Sequence, residues 1–342
     1  MKIGIVGYQG SGKSTLFQWL TGVEADPSKA HTGQSAMAAV PDDRVQQLCD
    51  VYEPKKITMA SLELVDTPGL DRSHEGNAAR LGIIREAGCL VIVTAAFSGA
   101  DPLADLTSLA EDLLLADMEI VSGRIERLRQ SVKKPRPDRD QQQAELDSLE
   151  SLLESMEAGT AIQASEMSEE LLKATRSFRL LTEKPKLLIV NTADDEADPS
   201  RFEKCDDGSA EVVATSIGLE MELSMMSDED RAEFESELGD RGMDHDDLLR
   251  KIMDASGQMI YFTAGEKEVR TWMLRSNGTA VEAAGNVHTD LARGFIRAEV
   301  MTCDDLFRLG GEREVKAENL MRKEPKDYVV QDGDILHILS NV

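Results

Sequence analysis

The chain has 342 residues, 41% of them hydrophobic, with 64 acidic against 38 basic side chains and a formal charge of −26. That length exceeds one small domain and supplies ample core without disulfide staples. The acidity excludes a protein that coats nucleic acid nonspecifically, because neutralising phosphates needs clustered Lys and Arg. Met1 leads directly into an apolar run without a charged leader pattern, and no apolar stretch reaches membrane-spanning length. These features predict a soluble, cytoplasmic protein with no membrane partner and no DNA partner. Cys49, Cys89, Cys205 and Cys303 lie far apart with no CxxC pair, which reads as reduced core thiols, not a metal site.

Lys2-Ile3-Gly4-Ile5-Val6 is a short run rich in β-branched residues and reads as a buried strand. It runs into Gly7-Tyr8-Gln9-Gly10-Ser11-Gly12-Lys13-Ser14, which fits GxxxxGK[ST] and opens a helical pattern from Thr15. Glycines there let backbone N–H groups turn inward around phosphate oxygens, and the helix N-terminus adds a favourable dipole. Gly7, Gly10, Ser11, Gly12, Lys13, Ser14 and Thr15 are the expected phosphate-binding set, with the Ser14 hydroxyl on Mg²⁺. A second apolar run, 61–65, ends in Asp66-Thr67-Pro68-Gly69. Asp66 is placed to hold Mg²⁺, and Gly69 to approach the terminal phosphate of ATP or GTP through its N–H. A carboxylate at a strand end is often only a turn residue; its place after the glycine-rich loop favours the functional reading.

Further strands are expected at 89–94 and 187–190, alternating with helical pattern as in an α/β sheet covered on both faces. From Leu106 the pattern changes. Leu109, Leu113, Ile120, Leu128 and Val132, then Leu146, Leu149, Leu153 and Met156, follow helical steps on either side of Pro135 and Pro137. This predicts two long helices folded on each other as a hairpin inserted in the α/β domain. Arg124, Arg127, Arg129, Lys133, Lys134, Arg136 and Arg139 cluster at its tip, a patch suited to RNA phosphates or simply a solvated helix end. After Gly257 the chain carries Gly-rich punctuation and short strand-like runs, a small α+β unit with 11 basic and 14 acidic side chains.

These motifs, with Phe262-Thr263-Ala264-Gly265-Glu266-Lys267-Glu268-Val269-Arg270, His288-Thr289-Asp290, Arg293-Gly294-Phe295-Ile296-Arg297-Ala298-Glu299 and the run 326–334, resemble the YchF/Obg-like ATPase family over nearly the whole chain. The resemblance implies a Ras-like P-loop G domain (1–105 with 185–256), an inserted α-helical coiled coil (106–184) and a C-terminal β-grasp TGS domain (257–342). It also implies association with the ribosome. His288, within the TGS-like segment, reads as a structural hydrogen-bonding residue.

Departures from the family pattern bear on chemistry. Gly10 stands where the family carries the Asn that in related triphosphatases helps place a potassium ion, which leaves potassium dependence open. Leu70 follows Gly69 where Ras-type enzymes carry a water-orienting Gln, and a hydrocarbon cannot align water. The loop at 95–102 lacks the His that the family offers as substitute, so the catalytic residue is unidentified beyond help from Lys13 and the Gly69 backbone. Slow hydrolysis is expected, with a non-catalytic nucleotide-binding module as the rival. Thr32 is a candidate Mg²⁺ ligand from a first switch.

For the base, guanine-specific relatives read NKxD and the Obg-like ATPases NxxE, whereas this chain has Asn191-Thr192-Ala193-Asp194. Asp194 could still accept from guanine, a charged hydrogen bond adding about 1.5–3 kcal/mol, but Thr192 removes the lysine cover. Ser216-Ile217-Gly218 stands where the family has SAK, so Asn191, Asp194, Ser216 and Ile217 form the expected base site. ATP is slightly favoured over GTP.

Overall fold

The computed structural model describes residues 1–134, 137–159, 169–194, 202, 210–227, 229–231, 233–234 and 243–341. The chain packs as two compact units, Met1–Ala36 with Glu63–Asp244, and Met37–Leu62 with His245–Val342.

The first unit is built on a six-stranded sheet. Its strands β1 (Lys2–Val6), β2 (Gln34–Ala39), β4 (Ser61–Asp66), β5 (Cys89–Ala96), β6 (Lys186–Thr192) and β7 (Glu211–Thr215) lie in the order β2-β4-β1-β5-β6-β7, while β3 (Ile57–Thr58) belongs to another sheet. Ile3 faces Leu64 on one side and Cys89 on the other, both in parallel register, and β5–β6–β7 continue parallel. β5 and β6 are buried along almost their whole length, the pattern of strands covered on both faces. They run two residues beyond the apolar stretches expected at 89–94 and 187–190. The ladder continues through Asn191 opposite Ala95 and Thr215, so pairing, not hydropathy, sets where the strands end.

The sheet order reverses about β1. The chain passes from β1 to β2 and β4 on one side, then to β5, β6 and β7 on the other. In parallel sheets such a reversal opens a crevice at the carboxyl ends of the strands. The glycine-rich loop leaves β1, Asp66 ends β4, Phe97 follows β5 and Asn191 lies near the end of β6.

Helices α1 (Lys13–Thr21), α2 (Arg44–Tyr52), α3 (Asn77–Ile84), α4 (Pro102–Ser131), α5 (Arg139–Glu157), α6 (Glu169–Thr175) and α7 (Ile217–Ser224) follow in chain order. α4 begins with Pro at its first position, and the Asp101 carboxylate accepts from the Leu103 and Ala104 amides, a strong start signal. It runs unbroken across Leu106. Its first turns bury Leu109 and Leu113 against the sheet with Leu81, Ile84, Leu90 and Leu188. Only beyond them do Val121, Ile125 and Leu128 pack with Leu146, Leu149, Leu152 and Met156 of α5. The buried face is thus Val121 rather than Ile120, and Leu152 lies inside it while Leu153 packs at its edge. A 30-residue helix turning 3.6 residues per turn rotates its apolar stripe, so one helix serves two cores in succession.

The second unit carries another six-stranded sheet, of order β11-β10-β12-β8-β9-β3. Its strands are β8 (Gln258–Thr263), β9 (Val269–Arg275), β10 (Phe295–Thr302), β11 (Arg322–Glu324) and β12 (Asp334–Ser340), with β3 pairing to β9 through Ile57 and Val269. Helix α8 (His245–Ala255) buries Leu248, Leu249, Ile252 and Met253, and α9 (Ala280–Val287) is held by a capping box between Thr279 and Glu282. Tyr261, whose hydroxyl donates to the Ala283 carbonyl, centres a core with Leu274, Ala298, Val300 and Leu336. His288 accepts from the Asp290 amide as the cap of the next short helix, a structural role. The packing division thus differs from the expected segments. Residues 37–62 and the helix at 245–255 go with the C-terminal residues, because β3 completes that sheet and α8 packs on β8. The Gly-rich pairs at 264–265, 277–278, 310–311 and 332–333 lie between these elements. No helix among the described residues is long and apolar enough to cross a membrane.

Leu149 is fully buried between α4 and α5. Leu149→Ala should destabilise the helical core by about 2–5 kcal/mol, seen as a lower urea midpoint in far-UV circular dichroism. An unchanged midpoint would mean the two helices do not share a packed core.

Candidate nucleotide site

The glycine-rich loop has the conformation its glycines permit. Gly10 and Gly12 sit at φ +81 and +100, values that L side chains rarely adopt. A methyl group on Gly7 would meet the Val93 carbonyl oxygen at 2.2 Å, and one on Gly12 would meet Asn191 Nδ2 at 2.2 Å. Asn191 uses both ends of its amide: Nδ2 donates to the Ser11 carbonyl at 3.1 Å, and Oδ1 accepts from the Ile217 amide at 3.1 Å. A buried side chain on β6 therefore fixes the phosphate loop and the start of α7 together.

Lys13 is almost completely buried, and its Nζ donates to the Tyr8 carbonyl at 2.6 Å. Burial lowers its pKa to about 8, with the Asp66 charge opposing the shift and the Arg72 charge adding to it. A methyl group on Gly69 would lie 3.2 Å from Lys13 Nζ and 3.1 Å from the Gln9 side chain, so glycine is what allows this segment so close to the ammonium. Two backbone hydrogen bonds hold it there: Leu70 N donates to Gly7 O, and Gln9 N donates to Leu70 O, each at 3.0 Å.

Ser14 Oγ donates to Asp66 Oδ2 at 2.7 Å. Asp66 Oδ1 is buried without a hydrogen-bond partner among the described residues. Burial raises this carboxyl above its ordinary range against the pull of Ser14 and Lys13. A serine hydroxyl beside a half-satisfied buried carboxylate is an oxygen donor set that a hard divalent cation satisfies, so these residues fit Mg²⁺. Thr32 is not brought to them: it lies exposed in a turn, its amide donating to Lys29 O. The cavity of about 380 Å³ beside Ser14 and Asp66 is lined instead by Asp26, Lys29, Ala30 and Gln34 from that part of the chain.

A larger cavity, about 780 Å³, runs from the loop to the base motif and is lined by Gly12, Lys13, Ser14, Thr15, Asn191 and Asp194, among others. Asp194 accepts from Ser216 Oγ at 2.5 Å, so the serine aims the carboxylate. Thr192, where a lysine would shield the base, is buried in β6. Sequence reasoning missed Phe97, which lines this cavity from the loop after β5. The signal was legible as an aromatic residue just past a buried strand, at the carboxyl edge of the sheet.

Leu70 does not line either cavity at the loop. It is fully buried with Val6, Tyr8 and Leu81. Of the basic cluster near the end of α4, Arg124 and Arg129 form ion pairs with Glu145 and Glu150 of α5 at 2.7 and 2.6 Å. Arg127 Nε donates to Gly123 O, Lys133 and Lys134 are exposed, and Arg136 lies outside the described residues.

A glycine-shaped loop after the first strand, a buried lysine behind it and a Ser–Asp pair at the next strand end define a P-loop nucleotide-binding domain. A family model described as 50S ribosome-binding GTPase matches residues 2–121, and the YchF-GTPase C-terminal model, described as a protein of unknown function, matches residues 259–341. The Ribosome-binding ATPase YchF of Bacillus subtilis is 35% identical over 364 residues, covering 99% of each chain. Obg-like ATPase 1 of Oryza sativa subsp. japonica is 34% identical over 373 residues, covering 100% of this chain and 92% of the relative. The solved Schizosaccharomyces pombe YchF GTPase superposes with a TM-score of 0.85 at 26% identity, covering 99% of this chain and 97% of that one. The chain belongs to the YchF family.

Lys13 should neutralise phosphate only while protonated, and in the free protein it loses its proton around pH 8. Affinity for MgATP should therefore be full below that pH and fall above it, by up to about tenfold per pH unit. Titrating the dissociation constant from pH 7 to 9.5 tests this, and a flat profile would mean that Lys13 keeps its proton across that range.

Proposed function

We propose that this protein is a ribosome-associated, Mg²⁺-dependent purine-nucleoside triphosphatase of the cytoplasm, slow on its own and switching between conformations at the segment 66–70. The observation that carries the reading is the Ser14–Asp66 pair with its unpartnered Oδ1 beside buried Lys13 and Gly69. In this reading Gly7, Gly10, Ser11, Gly12, Lys13, Ser14 and Thr15 cradle the phosphates, and Ser14 with Asp66 holds the metal. The segment 66–70, bonded to the phosphate loop at Leu70, would shift as Gly69 gains or loses the γ-phosphate. Slow turnover is supported by Leu70, whose buried side chain cannot orient water. Ribosome binding is carried over from the names of the relatives, with the exposed Lys133 and Lys134 and the partly paired Arg124 and Arg127 as the RNA-facing group. The three functional parts are the nucleotide domain (1–105 with 185–256), the helical insert (106–184) and the C-terminal TGS-type domain (257–342).

ATP is the preferred substrate in this reading, since Thr192 leaves the base without a lysine cover and Phe97 offers a sequence-tolerant apolar face. The second reading, GTP, rests on the Ser216 hydrogen bond that aims the Asp194 carboxylate toward the cavity. Side-by-side dissociation constants with Mg²⁺ decide between them. ATP binding tighter than GTP is the expected result, and in that case Asp194→Ala leaves ATP affinity within about threefold while a charged hydrogen bond to guanine would cost GTP tenfold or more. Lys13→Ala should abolish binding of either nucleotide. Phosphate release with and without ribosomes separates an enzyme from a passive binding module, because multiple turnovers that require Lys13 exclude the latter.

A further inference from the structure

With Leu70 buried, a charged group near the terminal phosphate must be sought elsewhere, and the chain supplies one two residues later. Arg72 follows the segment that is bonded backbone-to-backbone to the phosphate loop, so its position is fixed relative to Gly7 and Gln9. Its guanidinium lies over the Tyr8 ring, 5.0 Å from the centroid, and Nη1 is 3.4 Å from the Gln9 carbonyl oxygen. It lines a cavity of about 410 Å³ with Gln9, Gly10 and Phe97, residues of the loop and of the wall of the nucleotide cavity. Its charge is near enough to Lys13 to depress that ammonium.

The arrangement also shows why this cation would not act at full strength in the state described. Nε and Nη2 form a two-pronged ion pair with Asp105, in the first turn of α4, at 3.0 and 2.6 Å. The side chain of Arg72 is half exposed, so the pair is weakly held against a stronger anion. A triphosphate on the loop is such an anion, and a planar guanidinium fork matches phosphate oxygens as well as carboxylate.

We infer that Arg72 is a catalytic residue of this chain, an arginine supplied from its own switch segment to the phosphoryl group under transfer, and that Asp105 restrains it until the nucleotide or a movement of α4 draws it away. The inference rests on the triphosphatase reading above. In the reaction water adds its oxygen to the γ-phosphorus as the bond from that phosphorus to the bridging oxygen breaks, giving nucleoside diphosphate, inorganic phosphate and one proton. Negative charge shifts toward the bridging and equatorial oxygens, and Arg72 adds a donor for it to those of Lys13 and the phosphate loop. Because α4 continues into the helical insert, a partner that displaced the insert would act on the same ion pair.

The test is a mutant cycle on the full chain, measuring ATP affinity and multiple-turnover phosphate release. Arg72→Ala should lower kcat about a hundredfold or more, the effect of removing one transition-state donor, with the ATP dissociation constant within about threefold of wild type. Arg72→Lys, which keeps the charge but loses the fork, should recover little of kcat. Asp105→Asn should raise kcat severalfold, and only while Arg72 is present. A kcat of R72A within threefold of wild type overturns the catalytic assignment. Equal acceleration by D105N in the R72A background overturns the restraint. Wild-type protein without Lys13-dependent turnover overturns the triphosphatase reading and this inference with it, an outcome distinct from turnover that persists in R72A.

Discussion

The amide of Asn191 is the contact on which the nucleotide site depends. One end binds the carbonyl of Ser11 and the other the amide of Ile217, so a single buried side chain joins the phosphate loop, the end of β6 and the base loop. Such a bridge works only if the loop comes within contact distance, and Gly12 allows this because any methyl there would occupy the amide's own place. A buried amide that lost either partner would leave unsatisfied polar atoms, at about 1–3 kcal/mol each. The geometry is therefore held from both sides.

On the other flank the same loop is joined to the segment after Asp66. The backbone pairing of Tyr8 with Leu70 makes that segment an extension of the loop in this state. Below the pairing, the Tyr8 hydroxyl donates to the buried carboxylate of Asp112 on α4, which also contacts His74 and Asn77. Burial and the Asp112 charge push the tyrosine pKa upward, so the phenol stays a donor throughout the physiological range. The loop, the segment after Asp66 and the root of the long helix therefore share one polar network.

Much of this was legible from the order of residue types. The glycine loop, the Asp66–Gly69 element and the end of α4 ahead of Pro137 are local signals, because each depends on backbone conformation within a few residues, while Pro135, also expected to break the helix, lies outside the described residues. β2 was not legible. Gln34-Ser-Ala-Met-Ala-Ala has little β propensity, and it becomes a strand by lying beside β4 at the sheet edge. β3 escaped notice for a similar reason, two residues whose partner, β9, lies more than two hundred positions away. The hairpin stripe was seen, but its register was displaced, since the sequence does not say which turns of α4 face the sheet and which face α5.

What the sequence by itself determined is the chemistry on offer: a phosphate loop with its lysine, a carboxylate for a metal, a base motif lacking its lysine, and a leucine where a water-orienting residue would stand. These follow from residue identity and short spacing, which folding does not alter. Only the tertiary structure decided which groups meet. It turned Leu70 into the core, left Thr32 in an exposed turn, brought Phe97 to the cavity wall and paired Arg72 with Asp105, thirty-three positions away. Each of those outcomes depends on strand order and helix packing, which join residues far apart in sequence, and no local pattern encodes that distance.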